Sequence, residues 1–288
     1  MHAGLSVIQA CYQAIKHHSF VDAYHDTFSI VRADTQELKD GIFRLRYQVF
    51  CEENNCEETA AYPDGLLKDE HDDTAQHFAL IHRESGEIAG AASVVVPRHE
   101  GGKHAFPMQK LCDHPLVHME TEVKRLCEIS RLFMAPKFRR RPGDGRFLPA
   151  YNEQDWGFKM NDGKLDYFRR RIPYAPLGLL KAIFETALQN RVMDCVWMVE
   201  SAQLQGLQDV GLSYRVLGPR LNGPVPRQPV IFNIKIALDN MREQNSHCYE
   251  LVSDRGRLAK LADERNRDYW QDHVFGGECW DEIYNKFL

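Results

Sequence analysis

The run His77-Phe78-Ala79-Leu80-Ile81, the turn Glu84-Ser85-Gly86-Glu87, and the run Ile88-Ala89-Gly90-Ala91-Ala92-Ser93-Val94-Val95-Val96 decide the fold. Two short apolar runs parted by a glycine-centred polar turn read as an antiparallel hairpin. Before the hairpin lie a short strand at 28–32 and a helix at 34–50, the latter marked by Leu38, Ile42, Leu45 and Val49 at helical spacing. After it, 123–134 reads as a strand region ended by Pro136. Residues 176–190 form a helix with Pro176 in its first turn and Leu179, Leu180, Ile183, Phe184, Ala187 and Leu188 on its apolar side. Strands follow at 195–199, 214–217 and 230–236, with a short helix at 203–210 and another helix to about residue 244. This alternation describes an α/β domain in which one sheet carries helices on both faces.

The 288 residues hold 43% hydrophobic and 27% charged residues, an ordinary globular mixture that excludes collagen-like, low-complexity and wholly disordered classes. A formal charge of -5, from 36 Lys and Arg against 41 Asp and Glu, argues against nonspecific wrapping of nucleic acid. Eight cysteines in a chain this long form no dense disulfide framework. No basic-then-apolar leader opens the sequence, and the apolar windows at 192–199 and 230–236 are far shorter than a membrane span. The expected location is cytoplasmic, with reduced thiols. Leu5, Val7, Ile8, Cys11, Tyr12 and Ile15 mark an N-terminal amphipathic helix. Peripheral membrane contact is its alternative reading, although its polar face is not rich in Lys or Arg. With no internal repeat and no flexible linker, residues 1–250 are expected to form one domain with an insertion at about 146–173. Residues 251–288 are expected to form a helical extension, rich in aromatics from Trp270 to Phe287, that docks on the domain.

Three groups of residues can carry chemistry. Residues 52–73 form a long acidic loop ending in Asp69, Glu70, Asp72 and Asp73 around His71. Glu128-Ile129-Ser130-Arg131 lies on the third strand, where 128 and 130 share one face and 129 and 131 the other. Glu128 and Arg131 can therefore enter one cleft only through a bulge or twist. A Glu at the edge of an apolar cleft has its pKa raised by desolvation and suits removal of a proton from an amine. Third, Arg139, Arg140, Arg141, Gly143 and Gly145 make a basic, glycine-rich loop. Its form, Arg140-x-x-Gly143-x-Gly145, resembles the loop with which acetyltransferases of the GNAT type hold a pantetheine pyrophosphate. The same arginines, with Arg169 to Arg171, suit docking of an acidic acyl carrier protein. No metal is expected, because Pro115 interrupts His114-x-x-x-His118 and Cys51-x-x-x-x-Cys56 lacks a partner pair. Cys127 reads as a packing cysteine.

Taken in order, Phe43-Arg44-Leu45-Arg46-Tyr47-Gln48-Val49-Phe50-Cys51-Glu52-Glu53, Tyr62-Pro63-Asp64-Gly65, Asp69-Glu70-His71-Asp72, His77-Phe78 and Glu128-Ile129-Ser130-Arg131-Leu132 resemble the acyltransferases of PEP-CTERM/exosortase systems. Those are similar to N-acyl amino acid synthases and, more distantly, to acyl-homoserine-lactone synthases. The resemblance spans about 28–240. It implies a GNAT-like α/β fold with a mixed, mostly antiparallel central sheet, helices on both faces and a helical C-terminal tail. It also implies transfer of a long-chain acyl group from acyl carrier protein, or from acyl-CoA, to the amino group of an amino acid, with no bound cofactor.

On the matching positions, the resemblance gives Glu128 the part of general base and assigns Arg131 and Arg46 to the catalytic set. Phe50, Asp69, Asp72, Ser93 and Ser130 belong to the substrate pocket, and backbone N–H groups of the strand polarise the thioester. The sequence departs from the pattern at Leu67, where an acid is usual, and at Ser93, where an arginine is usual. Loss of that cation favours a plain amino acid over an acceptor like S-adenosylmethionine. A signal synthase of the acyl-homoserine-lactone kind and a non-catalytic module binding acyl chains or carrier protein remain the alternatives.

Overall fold

The hairpin lies inside a larger sheet. A computed structural model describes residues 20–97, 105–139 and 175–272. In it β1 (Phe28–Arg32), β2 (Gln76–His82), β3 (Ile88–Val95), β4 (Leu126–Met134), β5 (Asp194–Glu200), β6 (Arg215–Val216) and β7 (Arg227–Asn233) form one sheet. Their spatial order is β1-β2-β3-β4-β5-β7-β6. Only β4 and β5 run parallel, and every other neighbouring pair is antiparallel.

The helices are α1 (Phe20–Thr27), α2 (Gln36–Tyr47), α3 (Glu120–Val123), α4 (Pro176–Gln189), α5 (Leu204–Asp209), α6 (Ile234–Gln244), α7 (Ser246–Val252) and α8 (Arg257–Asp272). One face of the sheet, with Leu80, Val94, Ile129, Trp197 and Phe232, packs on Leu179, Ile183 and Phe184 of α4 and on α6 to α8 in the main core. Leu258 and Ala262 bring α8 into that core, and Arg265 Nε donates to the Leu188 carbonyl at 3.3 Å. The opposite face carries two smaller apolar clusters. Ala79, Ala91 and Phe133 meet Ile42 and Phe43 of α2. Val95, Leu126, Val196 and Ile231 meet Phe106, Met108, Leu116 and Val117. The polar residues singled out above lie between these two clusters.

Several boundaries differ from expectation for local reasons. The strand expected at 230–236 runs instead from Arg227 to Asn233, because the Asn233 side chain accepts from the amides of Lys235 (3.0 Å) and Ile236 (3.2 Å) and so starts α6. The helix expected at 34–50 is regular only to Tyr47 and continues as a π-helical turn, Gln48–Glu53. Residues 120–123 are helical, so β4 begins at Leu126. The tail reverses at Asp254, Arg255 and Gly256, all with positive φ, which separates α7 from α8. Helix α1 was not expected at all. The segments 5–15, 146–173 and 275–287 lie outside the described residues.

Gly90 lets β3 and β4 approach. A Cβ there would stand 2.6 Å from Met134 Sδ and 2.7 Å from the Phe133 carbonyl oxygen. The sulfur can swing away, but the carbonyl belongs to the sheet. Gly90→Ala is therefore expected to lower stability by about 1–3 kcal/mol, as overpacking does, measured by urea unfolding. An unchanged midpoint would show that the strands part without cost.

Candidate active site

The parallel pairing of β4 with β5 covers Leu126 to Ile129 on one strand and Asp194 to Trp197 on the other, and ends there. Beyond it β4 runs on to Met134 and β5 to Glu200 as diverging strands. On its other side β4 stays paired to β3, but Ser93 faces Ser130 and Ala91 faces Phe133, so β4 carries one extra residue. This is a β-bulge, and within it Arg131 has φ of 52°. A left-handed arginine costs about 1–3 kcal/mol of backbone strain. In return the alternation of the strand flips, and Phe133 joins the α2 side instead of the α4 side. The bulge also carries Arg131 to the face where Glu128 and Asp69 lie, the condition stated from strand geometry above.

Arg131 sits at the rim of that face. Its guanidinium is 3.4 Å from both Asp69 and Glu57. It also stands over the Phe50 ring, at 5.4 Å from the centroid, while Phe50 meets Phe133 edge to face at 5.5 Å. The π-helical turn is what turns Phe50 towards β4. Extra-residue turns of this kind recur at functional sites.

Glu128 is 2% exposed, placed between Val95 of β3 and Val196 of β5. Its Oε2 accepts from the Met108 amide at 2.8 Å. That amide belongs to a 3-10 turn, Pro107–Lys110, steadied by Gln109, whose Oε1 accepts from the Phe106 amide (3.2 Å) and whose Nε2 donates to the Val117 carbonyl (2.6 Å). Burial pushes the Glu128 carboxyl up to about 8; the Met108 amide and Arg131 pull down, and the charge of Asp69 pushes further up.

Arg46 and its partners form the floor of the site. Helix α2 buries Ile42, Phe43 and Arg46 on one side, so the guanidinium enters the molecule and is fully covered. Its Nη1 donates to both Asp72 carboxylate oxygens, at 2.8 and 2.9 Å, and its Nη2 donates to Ser93 Oγ at 3.0 Å. Asp72 Oδ2 also accepts the Asp69 amide at 2.7 Å, and Asp69 Oδ1 accepts the His71 amide at 2.9 Å. These bonds shape the acidic loop so that the second Asp69 oxygen faces Arg131. Burial pushes the Asp69 carboxyl up, but Arg131, the His71 amide and Arg46 outweigh it and hold the group below its ordinary value.

The structure therefore brings Glu128, Arg131, Arg46, Phe50, Asp69, Asp72, Ser93 and Ser130 to one face of the sheet, with Ser130 buried opposite Ser93. Arg139 is engaged within the chain, by Glu53 at 2.9 Å and by the Met134 carbonyl at 2.9 Å. Arg140, Arg141, Gly143 and Gly145 lie outside the described residues. The first turn of α4, which follows that loop, holds a ligand of its own: the Tyr24 hydroxyl accepts from the Gly178 amide at 3.0 Å and donates to the Ala175 carbonyl. His114 and His118 serve the main chain, the first accepting from the Leu116 amide and the second donating to the Cys112 carbonyl. Cys127 is fully buried, with its sulfur 3.4 Å from Cys195 Sγ in the main core, on the far side of the sheet from Glu128.

Sequence reading gave His77, Glu57 and Met108 no role. Hairpin register alone does not mark His77: Ile81 pairs with Ile88 next to the turn, and only a shift between Leu80 and Ile81 brings His77 opposite Ser93. Met108 acts through its amide, which no side-chain pattern marks.

Residues 45–147 match the acetyltransferase (GNAT) domain family. The chain thus carries an acyltransferase fold of the GNAT type, with its mixed, mostly antiparallel sheet and a helical C-terminal region. Known structures are similar to the chain as follows. TofI, in a ternary complex with an inhibitor and MTA, superposes with a TM-score of 0.51 at 14% identity, over 77% of this chain and 100% of that one. FeeM, an N-acyl amino acid synthase from uncultured soil microbes, gives 0.48 at 13% identity over 74% and 93%. BjaI, a CoA-dependent acyl-homoserine lactone synthase with SAM and isopentyl-CoA, gives 0.48 at 16% identity over 83% and 98%. At 14% identity the likeness to TofI is one of fold. A search of curated protein sequences gives no match.

Proposed function

We propose that the protein is an N-acyltransferase that moves a long-chain acyl group from a carrier-protein thioester, or from acyl-CoA, to the amino group of an amino acid. The observation that carries this reading is Glu128, a buried carboxyl raised to about 8 on the strand that parts from β5. A base in that range suits removal of a proton from an ammonium near neutral pH. In the proposed reaction Glu128 takes the proton, directly or through a water, and the freed amine attacks the thioester carbon. Main-chain N–H groups of β4 beyond its ladder with β5 stabilise the oxyanion. As the C–S bond breaks, the proton held by Glu128 passes to the leaving thiolate, and the second proton of the attacking nitrogen passes to the emptied carboxylate and on to solvent, leaving a neutral amide and a thiol. Arg131, flanked by Asp69 and Glu57 and backed by Phe50, is suited to an acceptor carrying both a carboxylate and an ammonium. The carrier-protein donor and the tie to PEP-CTERM/exosortase systems rest on the sequence resemblance alone.

The test is incubation of the full chain with long-chain acyl carrier protein or acyl-CoA and a pool of amino acids, followed by mass spectrometry. N-acyl amino acids are expected. No acyl amide with either donor would overturn the enzyme reading and leave a binding module.

A further inference from the structure

Four residues from four segments close a ring of hydrogen bonds under the acceptor side of the site. His77 Nε2 lies 3.0 Å from the Asp72 main-chain carbonyl, and because a carbonyl only accepts, Nε2 carries the proton. His77 Nδ1 is then the acceptor of the Ser93 hydroxyl at 2.8 Å. With its proton so directed, Ser93 Oγ has lone pairs for Arg46 Nη2 at 3.0 Å, and Arg46 Nη1 returns to the Asp72 carboxylate. His77 and Arg46 are 1% and 0% exposed, and Ser93 and Asp72 are 2% and 8% exposed, so water does not replace any of these partners cheaply. Phe43 fixes the ring plane from α2, edge to face at 5.3 Å.

Resting on the function proposed above, we propose that His77 is a positioning residue for the amino acid acceptor. As the neutral Nε2–H tautomer it holds the Asp72 main chain, while Arg46, locked through Ser93, holds the Asp72 carboxylate. Asp72 gripped at both ends presents a fixed oxygen to the Asp69 amide, and that sets Asp69 against Arg131. His77 touches neither substrate and acts through this chain. Protonation of Nδ1 would reverse its bond to Ser93, turn the Ser93 hydroxyl proton away and put a second cation beside Arg46, so the bond directions described belong to the neutral imidazole. The charged groups facing it are Asp72 on the loop, which favours protonation, and Arg46 and Lys39 on α2, which oppose it. Burial is the largest influence and lowers its pKa, so the imidazole stays neutral to lower pH than an ordinary histidine.

Two measurements test the proposal. In 15N-histidine NMR of the unliganded wild type near neutral pH, His77 should show a protonated Nε2 and a hydrogen-bonded, unprotonated Nδ1, with a midpoint below that of an ordinary histidine. Ser93→Ala should shift the Nδ1 signal. An Nδ1–H tautomer, or a midpoint at the ordinary histidine value of 6.5, overturns the ring. In acyl transfer, His77→Ala should lower kcat/KM for the amino acid about 100-fold, the scale of a misplaced reacting group, with the acyl-donor KM little changed. His77→Gln keeps a donor for the Asp72 carbonyl and should recover much of the loss. Equal losses with Ala and Gln, or none with Ala, overturn the positioning role. If the wild type transfers no acyl group, the function proposed above fails while the tautomer result stands. The amino acid's Kd by calorimetry then replaces KM, and no weakening in His77→Ala overturns the role.

Discussion

Replacing Glu128 by Gln is expected to lower the rate of acyl transfer about 10²- to 10⁴-fold, the usual contribution of a general base, and to leave only the pH dependence of the free amine. Wild type should transfer faster as pH increases through about 8, where the carboxyl ionises, and should lose about tenfold per pH unit below that. Glutamine keeps an oxygen for the Met108 amide, so the 3-10 turn over the site has no reason to move. Stability provides an independent reading of the same group. Folding raises the carboxyl from its ordinary value of 4.5 to about 8, so between those values the folded form holds a proton that the unfolded chain has released. The stabilising effect of that proton is complete below 4.5 and disappears as pH rises through 8, at about 1.4 kcal/mol per pH unit. Glu128→Gln should remove this slope and be the more stable protein at pH 9, by urea unfolding. A wild-type stability flat from pH 5 to 8 would mean that Glu128 is ionised throughout, and a rate unchanged by Gln would exclude it as the base.

The pattern of the sequence reached the sheet and its helices because burial imposes periodicity. Residues 78–81 and 91–95 of the hairpin alternate between the α4 core and the opposite face, and α4 shows its covered side every three to four residues. Motif order likewise gathered eight residues that the fold does bring to one face. What the pattern could not supply was set by groups without a pattern. The bulge at Arg131 depends on how β4 registers against β3, and an arginine at φ of 52° has no local sequence mark. Glu128 is held by a main-chain amide from a segment 20 residues earlier. At Ser93 the sequence suggested only the loss of a cation, whereas the hydroxyl links Arg46 to His77 and leaves a single buried guanidinium against a single buried carboxylate. Position 93, 2% exposed, therefore holds a small group that both donates and accepts.

That single pairing makes Asp72 the residue whose charge matters most for stability. Asp72→Asn keeps one oxygen for the Asp69 amide but turns an NH2 donor towards Arg46 Nη1 and leaves the guanidinium without a countercharge. Breaking a buried pair in this way costs about 3–5 kcal/mol. Arg46→Met should cost a similar amount, by stranding the carboxylate. If the cost lies in the stranded charge, the double variant Arg46→Met/Asp72→Asn should be more stable than either single variant, because neither partner is left as an unpaired buried charge. It should nonetheless stay poor in acyl transfer, because Ser93 then has no guanidinium to hold and the Asp72 side chain is no longer fixed under the Asp69 amide. Urea unfolding of the four proteins measures the coupling, and acceptor kcat/KM measures the geometry. Additive losses would place the cost in packing of the long Arg46 stem between Phe43 and the sheet and not in charge. Recovery of activity together with stability would mean that the pair serves the fold alone, and Asp69 would then owe its place against Arg131 to the loop backbone.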